Sequence, residues 1–355
     1  MVTNGNNLGR RAYGERRMIP LSILDHATVA TGSTPAQALR ETTELSGVVE
    51  RLGYHRLWVA EYHCVSAIAS SAPAVLIAHL ANATSTMRVG AGGVILPNHS
   101  PLAVAEQFGT LEALHPGRID LGLGRTSGID PQTSRALRRA NRDAPDRGAD
   151  SFPDDVVELI NYFLPHDVGT SRAFATPGSG YLPEVWWLGS STFSAQLAGM
   201  LGLPFAFAYH FAPNLLDPAL SIYRASFQPS LLLEKPRVMV AASVLCAPTD
   251  EEARWLAGST ALGILQRRSG DVGLLSSPEE AEAYPFTSAE RKFVDEAMAT
   301  HVIGDPQTVH EGLTLLQQRT KADELMLSTR TYSLEARVRS FTLAAQSWGL
   351  VQLTS

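Results

Sequence analysis

Apolar runs and amphipathic stretches alternate along nearly the whole chain, in the rhythm of strand followed by helix. Two runs set the pattern, RVGAGGVILP from Arg88 and GRIDLGLGRTSG from Gly117, with a helical stretch from Pro101 to His115 between them. Both runs are too continuously apolar for a strand with one wet face. They therefore read as parallel neighbours in a sheet covered on both sides, a βαβ unit. Strands follow the same rhythm at Ile19 to Leu24, His55 to Glu61, Val185 to Leu188, Pro204 to Phe211, Arg237 to Cys246 and Glu324 to Ser328. Helix signals fall between them. Ser33 or Thr34 precedes Pro35, Ser191 precedes a stretch that stops before Gly202, Thr249 precedes Asp250, Glu251 and Glu252, and Asp305 precedes Pro306, all of which suit helix N-termini. Further helices are expected from Ala72 to Ala83, Phe152 to Leu164, Asn214 to Phe227 and Ser333 to Gly349.

Eight strands alternating with helices predict an α/β fold, a (β/α)8 TIM barrel, with extended polar loops at 126–151 after strand four and 269–300 after strand seven. An open doubly wound sheet is the runner-up, but Gly122, Gly124, Ser127 and Gly128 miss the third glycine of its fingerprint and follow the fourth strand, not the first. In a barrel, chemistry belongs at the C-terminal strand ends. That rule selects Leu24 and Asp25, Glu61 to Cys64, Gly92 to Asn98, Gly122 to Ser127, Gly189 to Ser194, and Ala208 to His210.

Composition narrows the chemistry. With 355 residues and 45% hydrophobic content, the chain can bury a large core. A net charge of -6 gives no electrostatic footprint for nucleic acid or an anionic membrane. Two distant cysteines and no membrane-length apolar run suit the cytoplasm. Residues 1–18 hold Arg10, Arg11, Arg16 and Arg17 without an apolar signal core, so they read as a disordered lead-in to a single barrel domain at 19–355. His310 and Glu311 begin a zinc motif that Thr314 breaks, and Phe193 breaks a serine-nucleophile elbow at Gly189. No metal site is expected. What remains is an anion cradle made by Arg125 with Ser190, Ser191 and Ser194 at a helix mouth, suited to a cofactor phosphate.

Together, GRIDLGLGR, the preceding VGAGGVILPNHSPLAVAEQFGTLEALHPGR, the LGSS of Leu188 to Ser191, HVIGDPQTVHEGL and ADELMLST resemble the bacterial luciferase-like flavin monooxygenases from about Ile19 to Trp348. Within that family the chain is most similar to tailoring oxygenases of aromatic polyketide pathways, such as that of mensacarcin. The resemblance implies a barrel that binds reduced FMN, forms a C4a-hydroperoxide with O2 and inserts one oxygen atom into a hydrophobic substrate, a separate NAD(P)H-dependent flavin reductase supplying the FMN. It also implies a homodimer through helices two and three, a flavin-phosphate role for Arg125, Ser190, Ser191 and Ser194, and a cis peptide between Gly92 and Gly93 beneath the flavin ring.

One position departs from the family. Luciferases carry two histidines after the strand-two glutamate, where this chain has Tyr62 and His63. These two are the candidate catalytic residues, and a tyrosine there is a hydrogen-bond donor but a poor base. Asp25, Cys64, Asn98 and His210 are candidate substrate-pocket residues. Structural readings stand beside each assignment. The serines serve equally as a helix cap, Gly92 and Gly93 as a bulge, and His63 as a hydrogen-bonding support. An F420-dependent hydride-transfer enzyme and a non-catalytic flavin-binding relative remain the alternative functions.

Overall fold

The computed structural model describes residues 18–125, 133, 136–137, 151–165, 173–270 and 273–351. The expected lead-in, apart from Met18, and most of the loop at 126–151 lie outside them. Eight strands close a parallel barrel: β1 (Leu21–Asp25), β2 (Arg56–Val59), β3 (Arg88–Ile95), β4 (Ile119–Gly124), β5 (Glu184–Gly189), β6 (Phe205–Ala208), β7 (Val238–Cys246) and β9 (Glu324–Ser328). They run around the barrel in chain order, and β6 pairs with β7, so no barrel strand is left with an open edge. Helices α1 (Pro35–Arg51), α2 (Pro73–Ala83), α3 (Pro101–Leu114), α4 (Phe152–Phe163), α5 (Thr192–Met200), α6 (Leu216–Ser226), α7 (Asp250–Arg268), α10 (Pro306–Thr320) and α11 (Leu334–Trp348) complete the outer layer.

The capping residues set these boundaries. Thr34, Ser191, Thr249 and Asp305 each accept from a backbone N–H of the first turn, satisfying amides the helix itself leaves free. The segment at 269–300 differs from expectation. Where a polar loop was predicted, α8 (Pro278–Ala283) and α9 (Ser288–Met298) form, each opened by a reciprocal capping box, Ser277 with Glu280 and Thr287 with Glu290. A ninth strand also appears, β8 (Val302–Gly304), paired with Val244 to Cys246. It exists because the last residues of the nine-residue β7 extend past the pairing with β9 and present a free ladder.

Strand alternation divides the core in two. Ile23, Val59, Val89 and Trp187 pack outward against the helices, whereas Leu24, Trp58, Trp186, Met239 and Met326 fill the barrel interior. Above this interior layer, at the C-terminal strand ends, the barrel is hollow.

Candidate active site

The hollow is a cavity of about 280 Å³. Leu24, Trp58, Leu188 and Met326 contribute its apolar walls, and Gly92 and Gly93 lie along it. The peptide between the two glycines is cis. Both positions are glycine because of packing beneath the cavity. A Cβ on Gly92 would stand 2.9 Å from Leu24 and Trp58, and one on Gly93 would stand 2.6 Å from the Gly122 carbonyl oxygen.

One wall carries the residues expected to hold an anion, Arg125 and Ser190, Ser191 and Ser194. Arg125 follows β4 directly, and the guanidinium lies 5.2 Å from the Phe193 ring centroid, with no carboxylate at ion-pair distance among the described residues. Opposite stands the N-terminus of α5, where Ser191 Oγ accepts from the Ser194 amide at 3.1 Å and Ser194 Oγ accepts from Trp187 Nε1 at 2.7 Å. Ser191 thus caps the helix and Ser194 receives the Trp187 indole, and because both hydroxyls accept in these bonds, each keeps its own hydrogen free to donate. Ser190, Ser191, Ser194 and Arg125 all line this side of the cavity, at the positive end of α5.

The other wall is built from the ends of β1, β2 and β6. Tyr62 faces the cavity, its backbone held by a 2.9 Å bond to the Ser70 carbonyl, and its ring lies 5.9 Å from that of His26. Beside it Glu61 is buried. Burial alone would raise its pKa, but bonds from His99 and His63 to Oε1, each 2.8 Å, and from the Ile95 amide to Oε2 at 2.9 Å hold it below the usual carboxylate range. Glu61 is therefore an anion locked in place. His210 Nδ1 donates to the Ala241 carbonyl at 3.0 Å, and its buried Nε2 has no partner among the described residues. Burial pushes its pKa down to about 4. Burial also pushes His26 well down, assisted by nearby Arg330, His210 and Arg267.

The structure brings Tyr62, Gly92, Gly93, Arg125, Ser190, Ser191, Ser194 and His210 onto one cavity and leaves four expected residues off it. Asp25 points outward, where it pairs with Arg337 at 3.1 Å and accepts from Thr42 at 2.5 Å; on a strand that buries Leu24 inward, its neighbour must face the helices. Cys64 is solvent-exposed in the loop after β2, at φ 55°. Asn98 is buried in the single 3-10 turn after β3, Leu96–Asn98, which carries it past the rim. His63 stands behind the wall as a partner of Glu61, making it a supporting residue instead of a cavity residue. Sequence reasoning missed His26 and His99, and it selected Glu61 as a strand-end position without giving it a role. Strand alternation continued one residue beyond Asp25 would have found the first.

The fold and this rim define a (β/α)8 barrel with a partly apolar cavity at the C-terminal strand ends, flanked by Arg125 and the serines at the start of α5. Residues 19–322 match the family model for luciferase-like monooxygenase. The chain is 43% identical over 328 residues to a luciferase-like monooxygenase of Escherichia coli K12, across 92% of this chain and 96% of that one. It is 33% identical over 337 residues to the N-acetyl-S-alkylcysteine monooxygenase of Bacillus subtilis, across 93% and 98%. Among solved structures, apo-MsnO8 is similar at TM-score 0.85 and 36% identity, across 94% and 99%. At fold level alone, the chain resembles the FMN complex of the 3,6-diketocamphane monooxygenase component of Pseudomonas putida, at TM-score 0.71 and 20% identity across 93% and 97%. An F420-dependent secondary alcohol dehydrogenase shares the fold at TM-score 0.60 and 15% identity, across 91% and 97%. The chain belongs to the luciferase-like monooxygenase family. No described helix is long and apolar enough to cross a membrane.

Proposed function

We propose that the protein is the oxygenating component of a two-component system, taking reduced FMN from a separate NAD(P)H-dependent flavin reductase and inserting one atom of O2 into a hydrophobic organic substrate, with aromatic polyketides the expected class. The observation that carries the reading is Arg125, which has no carboxylate partner among the described residues and lies near the amides of α5, since such a guanidinium beside a helix N-terminus suits a phosphate monoester. FMN fits the rim. Arg125, Ser190 and the first amides of α5 would hold its phosphate, and the apolar wall formed by Leu24, Trp58, Leu188 and Met326 would exclude water from its ring.

Reduced FMN supplies the electrons that activate O2. The chain supplies position, a dry wall and hydrogen bonds. Tyr62, on the cavity wall beside His26, would donate a hydrogen bond at the reacting centre. Val75 on α2 and Leu114 on α3 are both exposed, which supports pairing of two copies through those helices. Light scattering tests that pairing.

The test of function is turnover under 18O2 with NADH, FMN, a general flavin reductase and a panel of aromatic polyketides and thioethers. The expected product carries one 18O atom. A product formed equally well without O2, or only with reduced F420, overturns the reading.

A further inference from the structure

Arg330 lies two residues beyond β9, at the same end of the barrel as the cavity. Its Nε is sealed from solvent and has no hydrogen-bond partner, and no carboxylate lies within ion-pair distance of its guanidinium among the described residues. Arg330 is half-buried, whereas the fully buried arginines Arg56 and Arg337 carry charge partners that it lacks, although the Nε of Arg337 is likewise without a hydrogen-bond partner. Arg56 pairs with Asp120 at 2.7 Å, Glu324 at 2.8 Å and Glu184 at 3.3 Å, and Arg337 pairs with Asp25 at 3.1 Å and Glu41 at 3.4 Å. A guanidinium whose Nε edge is sealed without a counter-ion is costly, and an anion brought from outside would reduce that cost.

There is a place for such a group. Beside Arg330 lies a void of about 40 Å³ walled by Thr28, Val65, Ala67, Arg267 and Leu275, room for about one water molecule or one carboxylate. Thr28 and Val65 belong to the loops after β1 and β2, the same loops that present His26 and Tyr62 to the main cavity. Among the described residues the charges around the void are mainly positive. Arg267 stands at the void, His26 is close enough to feel Arg330, and among the described residues the acidic groups that act on Arg330 are the Tyr62 phenol and Asp25, the latter already paired with Arg337.

We infer that Arg330, with Arg267, receives a carboxylate of the substrate while the apolar body of that substrate lies in the main cavity past His26 and Tyr62. The inference rests on the monooxygenase reading of that cavity and adds the substrate's chemical class, a hydrophobic carboxylic acid. A planar guanidinium accepts a carboxylate through two parallel bonds, which a neutral amide of the same shape does not reproduce.

The experiment titrates the full-length protein, with and without oxidised FMN, with two matched pairs: naphthalene-2-carboxylate against its carboxamide, and anthraquinone-2-carboxylate against its carboxamide. In at least one pair the acid is expected to bind about tenfold more tightly than the amide. R330Q should abolish that preference and R330K should restore part of it. If neither acid outbinds its amide, absence of all binding included, or if R330Q keeps the preference, the inference is overturned. It is also overturned if R330Q weakens FMN instead, because Arg330 would then serve the cofactor. Failure of FMN itself to bind sinks the flavin reading separately, since the acid and amide comparison is read without FMN as well.

Discussion

The two ends of the barrel handle positive charge in opposite ways. At the N-terminal mouth, Arg56, Arg88 and Arg237 meet Asp120, Glu184 and Glu324, three cations against three carboxylates, with links such as Arg88 to Asp120 at 2.5 Å and Arg237 to Glu184 at 2.8 Å. Trp58 and Trp186 each donate an indole N–H into this ring, to Asp120 and Glu184, at 2.8 Å. At the C-terminal mouth, Arg125 and Arg330 have no carboxylate among the described residues. The contrast separates stability from function within one fold. Where the chain supplies its own counter-charges the end is a plug, and where it withholds them the end is ready for a ligand.

The largest effect should come from breaking the plug. R56M leaves Asp120 and Glu324 buried without their central cation, and removing one partner from such a network costs about 3–5 kcal/mol. Urea unfolding is the measurement. A loss below about 1 kcal/mol would mean that water reaches these charges and that the two ends are less different than the burial of Arg56 and Asp120 implies.

Removing an unpaired cation should do the reverse, leaving the fold intact and damaging binding. R125A is expected to keep the urea midpoint and to weaken FMN by roughly 10- to 100-fold, the range for a lost charge-assisted bond. Fluorescence titration reads it. Unchanged affinity would remove the cradle as the cofactor anchor.

Acid should also act on the ligand-facing end. His210 has a folded pKa of about 4, below its ordinary value of about 6.5, so between these two pH values the unfolded chain binds the extra proton and the native state does not. Stability is therefore expected to fall as pH drops through that window, by about 3 kcal/mol in all from this residue. H210Q should flatten the slope, compared by urea unfolding at neutral pH and near the bottom of the window. Equal slopes for parent and variant would assign the acid sensitivity elsewhere, with His26 and Glu61 next in line.

How far this contrast could be read from sequence depends on what each residue obeys. The eight barrel strands and the caps at Thr34, Ser191, Thr249 and Asp305 were legible because they follow local rules of apolar continuity and side-chain capping. Arg125 was legible because it follows a glycine-rich strand end directly. The plug was not, since it joins residues as distant as Arg56 and Glu324, and nothing local marks them as partners. His99 was hidden for the same reason, being found only through its bond to Glu61. Asp25 was misplaced by choosing a strand end without asking which face each residue takes. The short β8 was missed because three residues inside a polar stretch carry no period of their own.

The smallest expected effect compares two glycines of β4, one still in the packed barrel and one at the open rim. At Gly122 an added Cβ would sit 2.2 Å from the Ala91 carbonyl oxygen and 2.7 Å from Leu188, whereas at Gly124 the nearest heavy atom is the Val94 carbonyl oxygen at 3.7 Å. The backbone at Gly124 is ordinary strand, so alanine is tolerated there and restricts the unfolded chain, for a gain of about 0.5 kcal/mol. G122A should instead lower the unfolding midpoint by well over that amount, because carbonyl and side chain both have to shift. Gly124 lines the cavity, so the new methyl of G124A points to space the flavin would use, and FMN affinity should fall while stability does not. If FMN binds G124A as tightly as the parent, the cofactor lies away from the β4 end, and the phosphate cradle at Arg125 must be reached from another direction.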